Sequence, residues 1–258
     1  MRLDERRSLG STGLRVSPLG LGTVKLGRSE GVKYPHPVRI PTDAEAAALI
    51  ARAEELGINL IDTAPAYGTA EERLGSLLSG RRDRWVICTK VGEEFEGGVS
   101  RFDFSARAVT ASLERSLRRL RADVIDVALI HSDGLIESDA GEPMEALARL
   151  KAAGKIRAIG ASTKTAAGGM RAVETCDVVM LTLNPGHAAD LPAIALAADR
   201  GVGVLVKKAF GSGHLAMEEA SRRECLRLAL STPGVSSVIA GTASIPHLEA
   251  NVAATTGQ

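Results

Sequence analysis

The chain has 258 residues, 32 Lys+Arg against 31 Asp+Glu, 45% hydrophobic and 24% charged residues. A sizeable core is available, and the near-neutral balance excludes a nucleic-acid or anionic-membrane partner held by bulk charge. The three cysteines, Cys88, Cys176 and Cys225, have neither the number nor the spacing of a disulfide framework or a metal knuckle. No apolar run is long enough to span a membrane, and the charged start at residues 1–7 does not read as a signal peptide. A reducing, cytoplasmic setting is expected. Aromatics are only 3%, too few for a platform that stacks single-stranded nucleic acid.

Residues 8–17 read as a short β-hairpin at the head of the chain. Residues 19–21 form a weak first strand, followed by a long loop over 25–41. Thr42-Asp43-Ala44-Glu45 has capping-box spacing at a helix start. Further apolar, β-branched runs at 58–61, 85–89, 124–130, 156–159, 178–183, 202–206 and 235–239 read as strands. A second long loop is expected over 91–104. Between strands lie helical stretches; in 112–120, Leu113, Leu117 and Leu120 share one face. Pro143 suits a first helical turn, and Gly57, Gly154 and Gly201 suit left-handed caps.

The strand runs do not alternate polar with apolar, so they are buried on both faces in a parallel sheet covered by helices. Eight strand–helix units without a break in composition predict a (β/α)8 TIM barrel, one domain over 1–258, with its hairpin plugging the N-terminal end. The rival, a doubly wound open sheet, lacks its GxGxxG fingerprint: Gly20-Leu21-Gly22 has no third glycine.

In such a barrel, function gathers where strands end. Asp62, Lys90 and His131 follow three successive strands, and Tyr67 lies in the loop after Asp62. Singly, each has an ordinary explanation: a turn cap, a solvated strand end, a core histidine, a packed aromatic. Together they make a device for protonating an oxygen that is becoming an alkoxide. An ammonium favours phenolate and is expected to lower the Tyr67 pKa. A carboxylate beside the ammonium keeps it charged, and a histidine orients the oxygen or relays a proton. No metal-ligand cluster and no GxSxG elbow is present, so a hydride has to come from a cofactor.

Here the sequence resembles the aldo-keto reductase family. The stretch from Gly57 to Gly68 (GINLIDTAPAYG) is similar to the family signature around its catalytic Asp and Tyr, and Glu72-Arg73-Leu74-Gly75 continues it. Thr89-Lys90 and Leu129-Ile130-His131 match the catalytic Lys and His. Residues 112–126 look like the family's third helix and following strand, and residues 151–160 like the stretch before its nicotinamide-binding strand end. The likeness runs from about residue 8 to residue 251. It implies reduction of aldehydes or ketones, with Asp62, Tyr67, Lys90 and His131 catalytic and NADP(H) as cofactor, NAD(H) being possible. It places cofactor contacts at Thr23, Ser162, Thr163, Asn184, Lys207, Lys208, Gly241, Thr242, Ser244, His247 and Asn251. The expected partner is a small carbonyl compound.

Several positions depart from the family. Thr163 stands for an asparagine, Met180 for a glutamine and Leu183 for a stacking aromatic. Lys208-Ala209-Phe210 replaces Ser-Pro-Leu. Gly241-Thr242, Ser244 and His247 occupy the places of the Lys-Ser and Arg that grip a 2′-phosphate. Asn251 matches but its Glu neighbour is Ala250, and the family's long C-terminal loop is expected to be missing. Two other readings compete: a nucleotide-sensing barrel without turnover, favoured by Met180 and Leu183, and a Schiff-base lyase using Lys90, disfavoured by Asp62.

Overall fold

The computed structural model describes residue 3, residues 5–215 and residues 218–256. Met1, Arg2 and Asp4 of the charged N-terminal stretch lie outside the described residues. The first two strands, β1 (Arg7–Ser8) and β2 (Arg15–Val16), pair antiparallel as the expected hairpin. The barrel strands are β3 (Leu19–Gly22), β4 (Leu60–Asp62), β5 (Val86–Val91), β8 (Ile125–His131), β9 (Ile156–Ser162), β10 (Val178–Thr182), β11 (Gly203–Lys207) and β12 (Val235–Gly241). They pair in parallel, and β12 closes on β3.

Between β5 and β8 the chain does not loop as expected. It forms a second antiparallel hairpin, β6 (Glu93–Glu96) with β7 (Val99–Phe102). Gly97 and Gly98 both take positive φ, 59° and 80°, which is the two-residue turn that suits a twisted hairpin. The helices are α1 (Val24–Gly27), α2 (Asp43–Glu55), α3 (Ala70–Leu77), α4 (Ala106–Leu120), α5 (Gly141–Ala152), α6 (Ala166–Thr175), α7 (Leu191–Arg200), α8 (Glu219–Ser231) and α9 (Ile245–Thr256). Thr42 and Glu45 make the capping box at the start of α2. Gly57, Gly154 and Gly201 carry positive φ behind α2, α5 and α7.

Two apolar layers hold this together. The outer layer joins strand residues such as Ile61, Ile87 and Ala128 to helix residues such as Leu113, Leu147 and Ile194. The inner layer fills the barrel with Leu60, Val86, Cys88, Val127, Leu129, Val178, Met180 and Leu205, and with Leu9, Leu14 and Val16 of the first hairpin. The hairpin is therefore a plug. Its turn is pressed so close that a Cβ on Gly10 would stand 2.3 Å from Gly203 N, and Ser11 N donates to Gly201 O at 2.8 Å.

Strand side chains alternate faces, so the inner residues run in columns of every second position. Following them toward the C-terminal end, Leu60 leads to Asp62, Cys88 to Lys90, Leu129 to His131, Ala158 to Ser162 and Leu205 to Lys207. The pleat that packs the interior is what aims these polar groups into the mouth.

Candidate active site

The mouth of the barrel holds a cavity of about 340 Å³. Asp62, Tyr67, Lys90 and His131 all line it, as do Thr23, Ser162, Lys207, Lys208 and Gly241. Lys90 is buried and donates to Asp62 Oδ1 at 2.6 Å and to Thr63 O at 2.9 Å. Its ammonium lies 4.8 Å from the centre of the Tyr67 ring. Burial opposes the charge on Lys90, but Asp62 and Tyr67 hold it protonated well above the usual lysine range. Tyr67 sits on a 3-10 turn, Pro65–Tyr67, whose proline opens the helical turn. Thr23 buttresses the neighbouring strand end, its N–H and hydroxyl both donating to Asp62 O, at 3.0 and 2.9 Å. Thr89 Oγ1 donates to buried Glu71 Oε1 at 2.6 Å, fixing β5 one residue before Lys90.

The Tyr67 pKa moves opposite to the expected direction. Lys90 does pull it down, but burial pushes it up by more, and Asp62 and Tyr34 add to the rise. The phenol is thus a fully protonated acid near neutrality, and the ammonium makes proton loss less costly than burial alone would allow. His131 meets Tyr67 edge-on, with ring centres 6.2 Å apart. Burial lowers the His131 pKa, Glu93 raises it, and Lys90 and Lys207 lower it again.

Lys207 turns inward and donates to Ser162 Oγ at 2.9 Å and Thr163 O at 2.6 Å. Burial, with repulsion from Lys208 and Lys90, pushes its ammonium down to about 7 against the pull of Asp190 and Glu137. Lys208 is exposed and has φ of 54°. The Thr163 hydroxyl is buried without a hydrogen-bond partner. Asn184 ties two loops together, Nδ2 donating to Lys208 O at 2.9 Å and Oδ1 accepting from Gly186 N at 2.9 Å. Thr242, Ser244, His247 and Asn251 form a separate group outside the lining of the cavity. Thr242 Oγ1 accepts from Ser244 N at 3.1 Å ahead of α9, His247 is exposed in the first turn of that helix, and Asn251 is buried further along it.

Several lining residues were not anticipated. Glu93 of β6 stands 2.7 Å from His131 Nδ1. Arg28 donates to Ala66 O at 3.0 Å behind Tyr67 and stacks on the Phe95 ring at 3.4 Å. Lys25 lies 4.2 Å over the Tyr34 ring. Gly97-Gly98 between two short runs was the available sign of the β6–β7 hairpin, and with it of Glu93. Lys25 sits in the four-residue helix α1, and Arg28 and Tyr34 in the irregular backbone after it, where no periodicity points inward. Among the described residues no group of His, Cys, Asp and Glu could hold a metal ion, and no helix is long and apolar enough to cross a membrane.

Residues 18–224 match the model of the Aldo/keto reductase family. The chain is 30% identical to the L-galactose dehydrogenase of Arabidopsis thaliana, over 98% of this chain and 88% of that protein. A crystal structure from Pseudomonas aeruginosa, assigned to the aldo-keto reductases, superposes with a TM-score of 0.90 at 49% identity, covering 99% of this chain and 97% of the other. The holo form of an aldo-keto reductase from Bacillus halodurans superposes with a TM-score of 0.80 at 28% identity, covering 96% and 90%.

Proposed function

The chain belongs to the Aldo/keto reductase family, and from that premise we propose that it reduces a small aldehyde or ketone with Tyr67 as the proton donor and NADP(H) as the preferred cofactor. The observation that carries the reading is the placement of Lys90, bonded to Asp62 at 2.6 Å and 4.8 Å from the Tyr67 ring centre, in a cavity that His131 also lines. Four groups with these roles have no common use in a protein that only binds.

The mouth suits a nicotinamide nucleotide. The Ser162 hydroxyl and the Lys207 amine form one polar wall of the cavity, with the orphaned Thr163 hydroxyl buried behind it, outside the lining. Gly22 and Gly241 line the cavity without side chains. Lys25, Lys33, Lys164, Lys207 and Lys208 also line it, while its two carboxylates are engaged, Asp62 by Lys90 and Glu93 by His131. Ser162, Thr163 and Lys207 would hold the nicotinamide end. Lys208, with Thr242, Ser244 and His247 at the start of α9, would meet the phosphates. The bound cofactor supplies the hydride.

Within that arrangement, Asp62 fixes and charges Lys90. Lys90 stabilises the tyrosinate left when Tyr67 gives its proton to the oxygen of the reduced carbonyl. His131 closes one side of the site and orients that oxygen. A cytoplasmic setting is proposed with it, since Cys88, Cys176 and Cys225 are free and buried. The test is Tyr67→Phe. A positioned acid is worth about 10²–10⁴ in rate, so carbonyl reduction should fall by that factor, with cofactor affinity unchanged within a few-fold. Retention of more than about a tenth of the activity would refute the assignment.

A further inference from the structure

The imidazole of His131 has a neighbour that the proton-transfer scheme above does not use. Glu93 lies on β6, and its Oε2 is 2.7 Å from His131 Nδ1. Ser100, across the hairpin on β7, donates its hydroxyl to Glu93 Oε1 at 2.6 Å, so the carboxylate is held from behind. Burial works against ionisation of Glu93, but His131, Ser100 and Arg28 outweigh it and hold the carboxyl down to about 2. The carboxylate is therefore an anion with lone pairs only. Two lone pairs repel at 2.7 Å, so the carboxylate favours a hydrogen on the ring nitrogen nearest it. Nδ1 has no aligned hydrogen-bond partner in this structure, so what the geometry gives is the close approach of the carboxylate to that nitrogen.

We propose that Glu93 is a positioning residue for His131, holding the neutral imidazole in the Nδ1–H tautomer with a bare Nε2. This rests on the reductase reading and gives it a direction. A bare Nε2 accepts the proton of an alcohol, which serves oxidation. It has no hydrogen to offer a carbonyl oxygen, so only the imidazolium orients the substrate in reduction by donation from Nε2. The carboxylate plays the part an aspartate plays behind a catalytic histidine, fixing the tautomer and stabilising the cation. The groups that bear on the ring come from every side of the mouth: Glu93 from β6, Lys90 from β5, Lys207 from β11 and the Tyr67 ring edge. Burial and the two lysines disfavour the imidazolium, and Glu93 alone among them favours it.

The experiment has two arms. The first is nitrogen-15 NMR of the free wild-type protein across neutral to alkaline pH, with the His131 signals assigned by their loss in His131→Gln. A protonated Nδ1 and a bare Nε2 are expected; an Nε2–H tautomer overturns the proposal, whether or not any substrate turns over. The second is the pH dependence of kcat/KM in both directions for wild type and Glu93→Gln. In wild type, reduction should fall about ten-fold per pH unit above the His131 pKa while oxidation rises to a plateau. In Glu93→Gln both limbs should move to lower pH, because the imidazolium has lost its anion. Limbs that stay put, with only KM or thermal stability altered, overturn the proposal. A wild type that reduces no carbonyl compound sinks the reductase reading instead and leaves the NMR result standing.

Discussion

At the base of the barrel, Leu60, Val86, Val127, Val178 and Leu205 meet Leu9, Leu14 and Val16 of the hairpin, all buried. A few positions along the same inward columns, the mouth presents Asp62, Lys90, His131 and Lys207 around a cavity. The backbone is of one kind at both ends: parallel strands pleated with period two, with one register shift between β11 and β12. What differs is whether the column meets another apolar surface or an open space. The base lowers free energy by excluding water from methyl groups. The mouth keeps charges where water is scarce, pairing Lys90 with Asp62 and holding Lys207 by hydrogen bonds to Ser162 and Thr163. Damage to the base should therefore appear as lost stability and damage to the mouth as lost rate.

Lys90 is where that division should break most visibly. Lys90→Met removes the charge that makes proton loss from Tyr67 affordable, so reduction should fall by about 10²–10⁴. It also strands the buried Asp62 carboxylate, which typically costs about 3–5 kcal/mol. Chemical denaturation and steady-state kinetics on the same preparation separate the two losses. The charge-balanced double variant Asp62→Asn/Lys90→Met should regain most of the stability and none of the rate. A double variant as unstable as the single would mean that the pair is held by more than its mutual charge.

The plug gives the opposite result. Leu14→Ala opens space where the hairpin seals the barrel, and a buried leucine lost in this way costs about 2–5 kcal/mol. The denaturation midpoint should fall accordingly. Reduction per folded molecule should stay within about two-fold, because Leu14 does not line the cavity. A large loss of rate at full folding would show that the two ends are coupled through the barrel.

The base and the columns were legible in sequence because burial on both faces leaves uninterrupted apolar runs, and the first polar residue after each run marks the mouth. Asp62, Lys90 and His131 were found by that rule, and Lys207 stands at the same register. The 91–104 segment misled because a hairpin two strands wide has one face in solvent, so Glu93, Glu94 and Glu96 read as loop. Glu93 was lost with it. The direction of the Tyr67 pKa was lost for another reason. Sequence names the ammonium beside the phenol, but not the burial that outweighs it.

The smallest effect sharpens the contrast between the deep mouth and its rim. Lys207 is fixed by Ser162 and Thr163, whereas Lys208 is an exposed residue whose ammonium is disfavoured by partial burial and by repulsion from Lys33 and Lys164. A dinucleotide phosphate would relieve that repulsion, and a 2′-phosphate would relieve it further. Exposed pairs of this kind are worth about 1 kcal/mol or less, because water and salt screen them. Lys208→Ala should therefore weaken NADPH by roughly five-fold at low salt, leave NADH within about two-fold, and lose even that difference as ionic strength rises past the point where the Debye length is about 8 Å. Competitive titration of both nucleotides against wild type and variant, repeated at two salt concentrations, reads the ratio directly. NADH binding as tightly as NADPH to the wild type would refute the NADP(H) preference itself. A preference that survives both Lys208→Ala and high salt would move the discrimination inward, to Lys207 or to the amides and hydroxyls at the start of α9, where screening is weaker and the geometry is fixed.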